Sequence, residues 1–119
     1  MDRPTGIDRF LPLRPVEFHI LLSLAAGERH GYGMIQDAEA RGERVLPDVG
    51  TIYRALRRMQ DRGLLEEADA RSAGDAEDER RIYYRITALG LRVARAEAGR
   101  MEALTRAARI GGLLEQPTS

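Results

Sequence analysis

The feature that most constrains this fold is a change in hydrophobic period between residues 50 and 86. The stretch GTIYRALRRMQDRGLL, residues 50–65, repeats its apolar residues at helical spacing and contains a glycine, Gly63, where the repeat stops. Two strand-like stretches follow at once, LLEEADA and RRIYYRI, with the polar RSAGDAEDE between them. We therefore predict a helix from Val49 to Arg62 and then a β-hairpin with a long, acidic tip.

Two further helices precede this one. Pro15 suits a first helical turn, and the pattern that follows ends at Gly27. The second segment, residues 32–41, follows the turn GERHG and ends at Gly42. The spacing predicts that these helices bury Phe18, Leu21, Leu22 and Ala25 in the first, and Tyr32, Ile35 and Ala38 in the second.

A long helix closes the chain. Thr87 can cap a helix from Ala88 to about Arg109, and Gly111 and Gly112 stop it before a loose tail, LLEQPTS. A helix of this length spans about 33 Å at 1.5 Å per residue. We expect an N-terminal arm at 1–14 that ends in Phe10 and Leu11, a helix-turn-helix domain with a wing at 15–87, the long helix at 88–110 and a tail at 111–119.

Composition excludes several classes of protein. The 119 residues have a formal net charge of zero, no cysteine and nineteen basic residues that are all arginine, so disulfide frameworks and thiolate metal sites are excluded. No apolar run approaches a membrane span and the N-terminus has no signal-peptide pattern, so a cytoplasmic protein without membrane contact is expected. His19 and His30 lack partners at ligand spacing, and HExxH, P-loop and GxSxG motifs are missing. We predict no enzyme activity, cofactor or metal site.

The third helix has two distinct faces. A helical projection places Ile52, Ala55, Leu56 and Met59 on one side, and Gly50, Tyr53, Arg54, Arg57 and Asp61 on the other, with Arg58 flanking. Outward arginines often serve only solubility. A short helix, a turn, a second helix with an Arg/Tyr face and a hairpin, however, form a helix-turn-helix with a β wing, in which one helix enters the major groove of DNA.

Three motifs, in order, resemble those of the PadR-like family of winged-helix transcriptional regulators. They are HGYGMIQDAEARG, GTIYRALRRMQDRGLLE and RRIYYRITALGLR, and the match covers roughly residues 11–92. The resemblance implies DNA contact by Thr51, Tyr53, Arg54 and Arg57, with Arg81 at the wing. Chemistry adds Gly50, where the backbone can approach DNA, and the neighbouring cations. The predicted DNA-binding set is Gly50, Thr51, Tyr53, Arg54, Arg57, Arg58, Arg80 and Arg81.

The wing departs from the family pattern. Ile82 stands where many members have a lysine, and the tip carries the acidic residues Asp75, Glu77, Asp78 and Glu79. Phosphates repel such a tip, so we expect wing contact through its base, at Arg80 and Arg81. Alternation along the strand buries at least one of the tyrosines that follow, Tyr83 and Tyr84.

The last helix carries an apolar stripe of Ala94, Ala98, Met101, Leu104 and Ala108. The stripe either packs on the chain's own core or meets a second copy. The resemblance implies the second, as well as the compact subgroup with one short C-terminal helix. A two-fold dimer would place its recognition helices about 34 Å apart on a pseudo-palindromic site. The resemblance also implies a small-molecule effector, which the sequence does not identify; there is no Trp to stack on it.

The sequence thus predicts a homodimeric regulator, a repressor, that binds double-stranded DNA. The alternative is a winged-helix module that docks a partner protein and does not bind DNA, because fold alone does not fix function. Zero net charge and the acidic wing favour the alternative.

Overall fold

The computed structural model of the protein describes residues 6–43, 48–68 and 82–116. Within them, helices and short strands follow in this order: a 3-10 helix (Asp8–Phe10), α1 (Pro15–Ala25), β1 (Arg29–His30), α2 (Gly31–Ala40), α3 (Val49–Asp61), β2 (Leu65–Glu67), β3 (Tyr83–Ile86) and α4 (Ala88–Ile110). The predicted fold, mainly helical with a small β element and a long last helix, is confirmed. None of the described helices has the length and apolar character to cross a membrane.

The helix ends follow the predicted capping residues. The Asp48 carboxylate accepts a hydrogen bond from the Thr51 amide at 2.8 Å, and the Thr87 hydroxyl accepts one from the Gly90 amide at 2.9 Å. Gly63 has a φ of +81°, and just beyond it the Leu64 amide donates to the Met59 carbonyl at 3.0 Å. This is the Schellman arrangement, which a glycine adopts without steric cost. The chain therefore turns sharply from α3 into β2.

The sheet has three strands in the order β1-β3-β2, and both pairings are antiparallel. Leu65 pairs with Ile86 in the predicted hairpin, whereas the pairing of Arg29 with Tyr84 adds a strand that the sequence did not predict. β1 is only two residues long and lies inside the GERHG turn, so it has no alternating pattern to detect. The acidic tip of the wing lies outside the described residues.

The core lies between α1, α3, the sheet and the first turns of α4. The predicted inward face of α3 is confirmed, with Ile52, Ala55, Leu56 and Met59 all buried. The predicted face of α1 is correct only in part. Leu21 is buried as predicted, but Ile20 and Leu24 are buried in place of Leu22, which is 39% exposed, and Ala25, which is exposed. α1 is apolar on nearly every side, so periodicity alone could not choose the face that α3 and α4 cover.

The inward face of α2 also differs from the prediction. Gly31, Met34 and Ala38 are buried, whereas Tyr32 is 55% exposed and Ile35 half-buried. The spacing 31, 34, 38 is helical, but its first member is a glycine, which carries no hydrophobic signal. Tyr32 therefore points away from the core on the first turn of α2.

Part of the predicted N-terminal arm belongs to the core. Phe10 and Leu13 are 5% and 6% exposed, and the Leu13 amide donates to the buried Glu97 carboxylate of α4 at 3.2 Å. The guanidinium groups of Arg9 and Arg62 each lie over the Phe10 ring, 5.2 and 4.7 Å from its centroid. Phe10 thus packs at the end of α3 and Leu13 against the middle of α4, and the prediction of a loose arm is wrong for this part of the segment.

Candidate nucleic-acid interface

The outward face of α3 carries a cluster of arginines. Gly50, Tyr53, Arg54, Arg57 and Asp61 are all exposed, as the helical projection predicts. They border an open groove of about 560 Å³ whose lining is Tyr53, Arg54, Arg57, Arg58, Asp61 and Arg62. Four arginines and one aspartate give this groove an excess of positive charge, although the whole chain has none.

Arg54 is held in place by hydrogen bonds at the start of α3. Its Nη2 donates to the Thr51 hydroxyl at 3.1 Å, and that hydroxyl donates to the Asp48 carboxylate at 2.8 Å. The two hydrogen bonds from Thr51 lower the pKa of Asp48, backbone amide first, so the carboxylate stays ionised. Thr51 therefore orients Arg54 as a hydrogen-bond acceptor and donates its only hydroxyl proton to Asp48.

Gly50 leaves room for the same arginine. A Cβ at this position would lie 3.2 Å from Nη1 of Arg54 and 3.6 Å from the Asp48 carboxylate. A larger side chain would therefore compete with Arg54 for its place beside the first turn of α3. Gly50, which is predicted to let the backbone approach DNA, thus also leaves space for the Arg54 side chain.

Tyr53 fixes the contact between α2 and α3. A Cβ at Gly31 would lie 2.7 Å from both Cζ and the hydroxyl oxygen of Tyr53, so the ring occupies space that only glycine leaves open. Tyr53 nevertheless remains 43% exposed. Of the paired tyrosines on β3, Tyr84 is buried as expected for one of them, and burial followed by the charge of Glu67 raises its pKa.

Arg57 and Arg58 differ although they are neighbours in the chain. Arg57 is exposed and makes no hydrogen bond or ion pair with any other described residue. Arg58 turns toward the body, where its Nε donates to the Glu17 carboxylate of α1 at 3.0 Å. Arg80 and Arg81 lie outside the described residues. The structure therefore brings Gly50, Thr51, Tyr53, Arg54 and Arg57 together. Arg58 lines the same groove, but its guanidinium group is paired with Glu17.

Sequence reasoning missed several residues that shape this surface. Glu17 is 3% exposed and lies three residues after Arg14. Its carboxylate accepts a hydrogen bond from the Arg14 amide at 3.0 Å. A charged residue inside an otherwise apolar helix was the available signal. Phe10 was assigned to a loose arm, and its place beneath Arg62 depends on packing between distant parts of the chain.

The predicted dimerisation stripe on α4 divides into two parts. Val93 is buried and Ala94 packs against the core, so the first turns of α4 belong to the body. Met101 and Ala108 are half-buried, whereas Ala98 is exposed and Leu104 is 61% exposed. Beyond them, Ile110 and Leu113 are 79% and 81% exposed. The second half of α4 therefore carries large apolar side chains that the described part of the chain leaves uncovered.

Both histidines have structural roles. His30 caps α2 by accepting the Gly33 amide at 3.0 Å, and its ring meets the edge of Tyr83 with the centroids 5.1 Å apart. His19 contacts Arg41 at 3.1 Å and Glu43 at 3.5 Å on the surface of α1 and α2. Among the described residues, no group of three His, Asp or Glu side chains is arranged to hold a metal ion.

Helices α2 and α3, together with the hairpin of β2 and β3, define the winged helix-turn-helix class of domains. A family model narrows the class: the transcriptional regulator PadR-like family matches residues 20–96. The chain belongs to the PadR-like family of transcriptional regulators.

Solved structures of similar proteins agree with this membership. A PadR-like transcriptional regulator from Bacillus cereus is 26% identical, with a TM-score of 0.67 over 86% of this chain and 93% of that one. A PadR family regulator from Clostridium difficile shares the fold at 19% identity, with a TM-score of 0.65 over 79% and 94% of the two chains. A transcriptional regulator from Clostridium thermocellum shares it at 24% identity, with a TM-score of 0.63 over 79% and 86%. A comparison with curated proteins gives no match.

Proposed function

We propose that this PadR-like regulator binds specific double-stranded DNA through the outward face of α3. The observation that carries the proposal is the arrangement of Arg54 and Arg57, which are both exposed on the outward face of α3 and lie in its middle turns. An arginine fork can make two hydrogen bonds to a guanine edge or to a phosphate. The Asp48–Thr51 pair orients Arg54 before any DNA arrives, which reduces the entropy that binding loses.

The remaining residues of the predicted set fit supporting roles. Tyr53 presents a hydroxyl beside the arginines, and Gly50 allows the helix start to approach the phosphate backbone. Arg80 and Arg81 complete the proposed interface at the base of the wing. Asp61 lines the same groove and would lie near phosphates, so it opposes binding at its end of α3.

The test is DNA binding measured at several salt concentrations with fragments from the gene's own upstream region. We expect a steep fall of log K with log salt, and each phosphate contact contributes about 0.9 to the slope. Arg54→Ala and Arg57→Ala should each weaken binding. If one of them reads a guanine, its loss costs about 1–3 kcal/mol and relaxes specificity at one base pair. Failure of the wild type to bind any such fragment with saturation would exclude the proposal.

We propose that the functional unit is a homodimer that represses transcription. The support is the uncovered apolar half of α4 and the residues just after it, because exposed Leu104 and Ile110 on the helix and Leu113 beyond it are costly in a monomer. A two-fold dimer presents two copies of α3 to half-sites about 34 Å apart. A dimer bound across a promoter represses by blocking polymerase, and an effector bound between the copies would release it. Transcription in vitro from the footprinted promoter, with increasing protein, tests the sign of regulation.

A second candidate is docking of a partner protein to the same groove. Asp61 beside the arginines gives the groove both signs of charge, which suits a partner surface as well as DNA. A stoichiometric protein complex combined with undetectable DNA binding would favour this function. Loss of that complex in Arg57→Ala would locate it on α3.

A further inference from the structure

The contact between Glu17 and Arg58 links the first turn of α1 to the last turn of α3. Glu17 is 3% exposed, and both of its carboxylate oxygens are engaged, one by the Arg14 amide at 3.0 Å and the other by Nε of Arg58 at 3.0 Å. The Arg58 side chain is 33% exposed. Removing the cation from a buried carboxylate strongly destabilises the folded protein, so Arg58 is needed beside Glu17.

The Arg14 amide is itself part of a fixed segment. The preceding amide, that of Leu13, donates to the buried Glu97 of α4, which also accepts two hydrogen bonds from Arg100 at 2.7 and 2.9 Å. Two adjacent amides are thus held by carboxylates from α1 and α4. Glu17 transmits this fixed position to α3 through a single guanidinium group.

We propose that Glu17 is a positioning residue for DNA binding and that Arg58 acts through Glu17 instead of contacting DNA. The proposal rests on the proposed function of α3 and revises the role predicted for Arg58. Glu17 determines how far the end of α3 rotates about its axis, and Arg57, one residue before Arg58, depends on that rotation. A rotation of α3 would turn the Arg57 guanidinium group out of line with its hydrogen-bond acceptor on DNA, while its charge would stay beside the phosphates.

The direction in which one substitution changes DNA affinity distinguishes this role from simple electrostatic attraction. Glu17→Gln removes a negative charge near a DNA-binding face, which by Coulomb attraction alone raises affinity. The positioning role predicts the opposite, a loss of about threefold to tenfold in affinity, because the amide no longer holds Arg58 as an ion pair. The slope of log K against log salt stays at the wild-type value, since the variant removes no cation from the interface.

Arg58→Gln and the double variant complete the cycle. Arg58→Gln lowers affinity without lowering the salt slope, whereas Arg57→Gln lowers the slope by about 0.9. Adding Glu17→Gln to Arg58→Gln removes the unpaired buried carboxylate, so the double variant binds more tightly than Arg58→Gln alone. Two results together would overturn the proposal. Arg58→Gln would lower the salt slope as much as Arg57→Gln does, and the double variant would show no recovery of DNA affinity.

The matched control is Ile20→Val, a loss of packing in the same helix that leaves the ion pair intact. It lowers thermal stability but not the DNA affinity of the folded protein. If an arginine variant does not fold, the Nε–H resonance of Arg58 in the wild type still decides: it should not move when DNA is added, while that of Arg57 moves. Equal movement of both overturns the proposal. If Glu17→Gln binds DNA with wild-type affinity, the positioning role is excluded but the proposed function is not. If the wild type itself binds no DNA, both are excluded.

Discussion

At the scale of single residues, the outward face of α3 is organised around the orientation of Arg54. Asp48 both caps the helix and accepts the Thr51 hydroxyl, and Thr51 in turn accepts from Arg54. One carboxylate thus stabilises the helix start and orders a long, flexible side chain. An arginine that is already ordered loses less conformational freedom on binding.

Thr51→Val tests this chain of hydrogen bonds. Valine keeps the shape of threonine but removes the hydroxyl, and a hydrogen bond of this kind contributes about 0.5–1.5 kcal/mol. We expect DNA affinity to fall by up to about tenfold, as read by fluorescence anisotropy. Thr51→Ser, which keeps a hydroxyl, should bind more tightly than Thr51→Val. Equal affinities for the two variants would contradict the orienting role.

The close approach of Gly31 to Tyr53 makes a second prediction at this scale. Gly31→Ala places a methyl group 2.7 Å from the Tyr53 ring, so the ring must leave its place between α2 and α3. We expect lower thermal stability and weaker DNA binding. Tyr53→Ala in the same chain should restore part of the stability but none of the binding. Wild-type stability for Gly31→Ala would show that Tyr53 has another position of equal energy.

At the scale of secondary-structure elements, α4 is fixed to the wing by a backbone contact at Gly90. A Cβ at this glycine would overlap the carbonyl oxygen of Leu64, which precedes β2, and that atom cannot move without moving the strand. Gly99, on the same helix, has no atom within 4 Å of the corresponding position. The two glycines therefore form a matched pair in one helix.

Substituting alanine at each glycine should change stability in opposite directions. Gly90→Ala forces α4 away from Leu64 and should lower the free energy of unfolding by about 1–3 kcal/mol or more, as overpacking does. Gly99→Ala should raise it by about 0.5–1 kcal/mol, because alanine favours a helix over glycine. Urea unfolding measures both. A stable Gly90→Ala protein would mean that α4 can shift without loss.

Glu97 gives α4 a pH-dependent contribution to stability. The Arg100 side chain, followed by the Leu13 amide, holds the pKa of this carboxyl below its ordinary value of about 4.3. A carboxyl with a lowered folded-state pKa stabilises the fold above its unfolded pKa, and the contribution disappears as pH falls through the folded pKa.

The comparison of wild type with Glu97→Gln isolates this effect. At pH 7 the variant should unfold at a lower urea concentration than the wild type. The difference should shrink as pH falls from about 5 toward 3, because both proteins then carry an uncharged group at this position. A difference that is constant with pH would show that shape alone, and not charge, is needed at Glu97.

At the scale of the whole molecule, the sequence is sufficient to predict an element where its periodicity and its capping residues agree with the burial in the structure. α3 is such a case: Asp48, its inward residues and Gly63 each indicate the same helix, and all are confirmed. α1 is the opposite case, since a helix that is apolar all round does not indicate its own inward face. Glu17 and Glu97 were missed because a buried carboxylate depends on partners from distant parts of the chain.

The proposed homodimer is argued from the apolar residues that α4 leaves uncovered. A 23-residue helix extends about 35 Å, and its first turns pack on α1 while Leu104 and Ile110 remain exposed. Leu104→Glu should convert a dimer into a monomer at micromolar concentration, as measured by light scattering. The substitution keeps a good helix former at an exposed position, so the helical content should not change.

DNA binding shows whether this dimer is the functional unit. A Leu104→Glu monomer should bind a single half-site about as well as the wild type does. It should lose the additional affinity of a full, two-half-site operator, because its second copy of α3 is no longer attached. Arg106→Glu, on the opposite side of α4, is the control for introducing charge and should remain a dimer. Should Leu104→Glu stay dimeric with full operator affinity, the contact between copies must lie elsewhere than on the second half of α4.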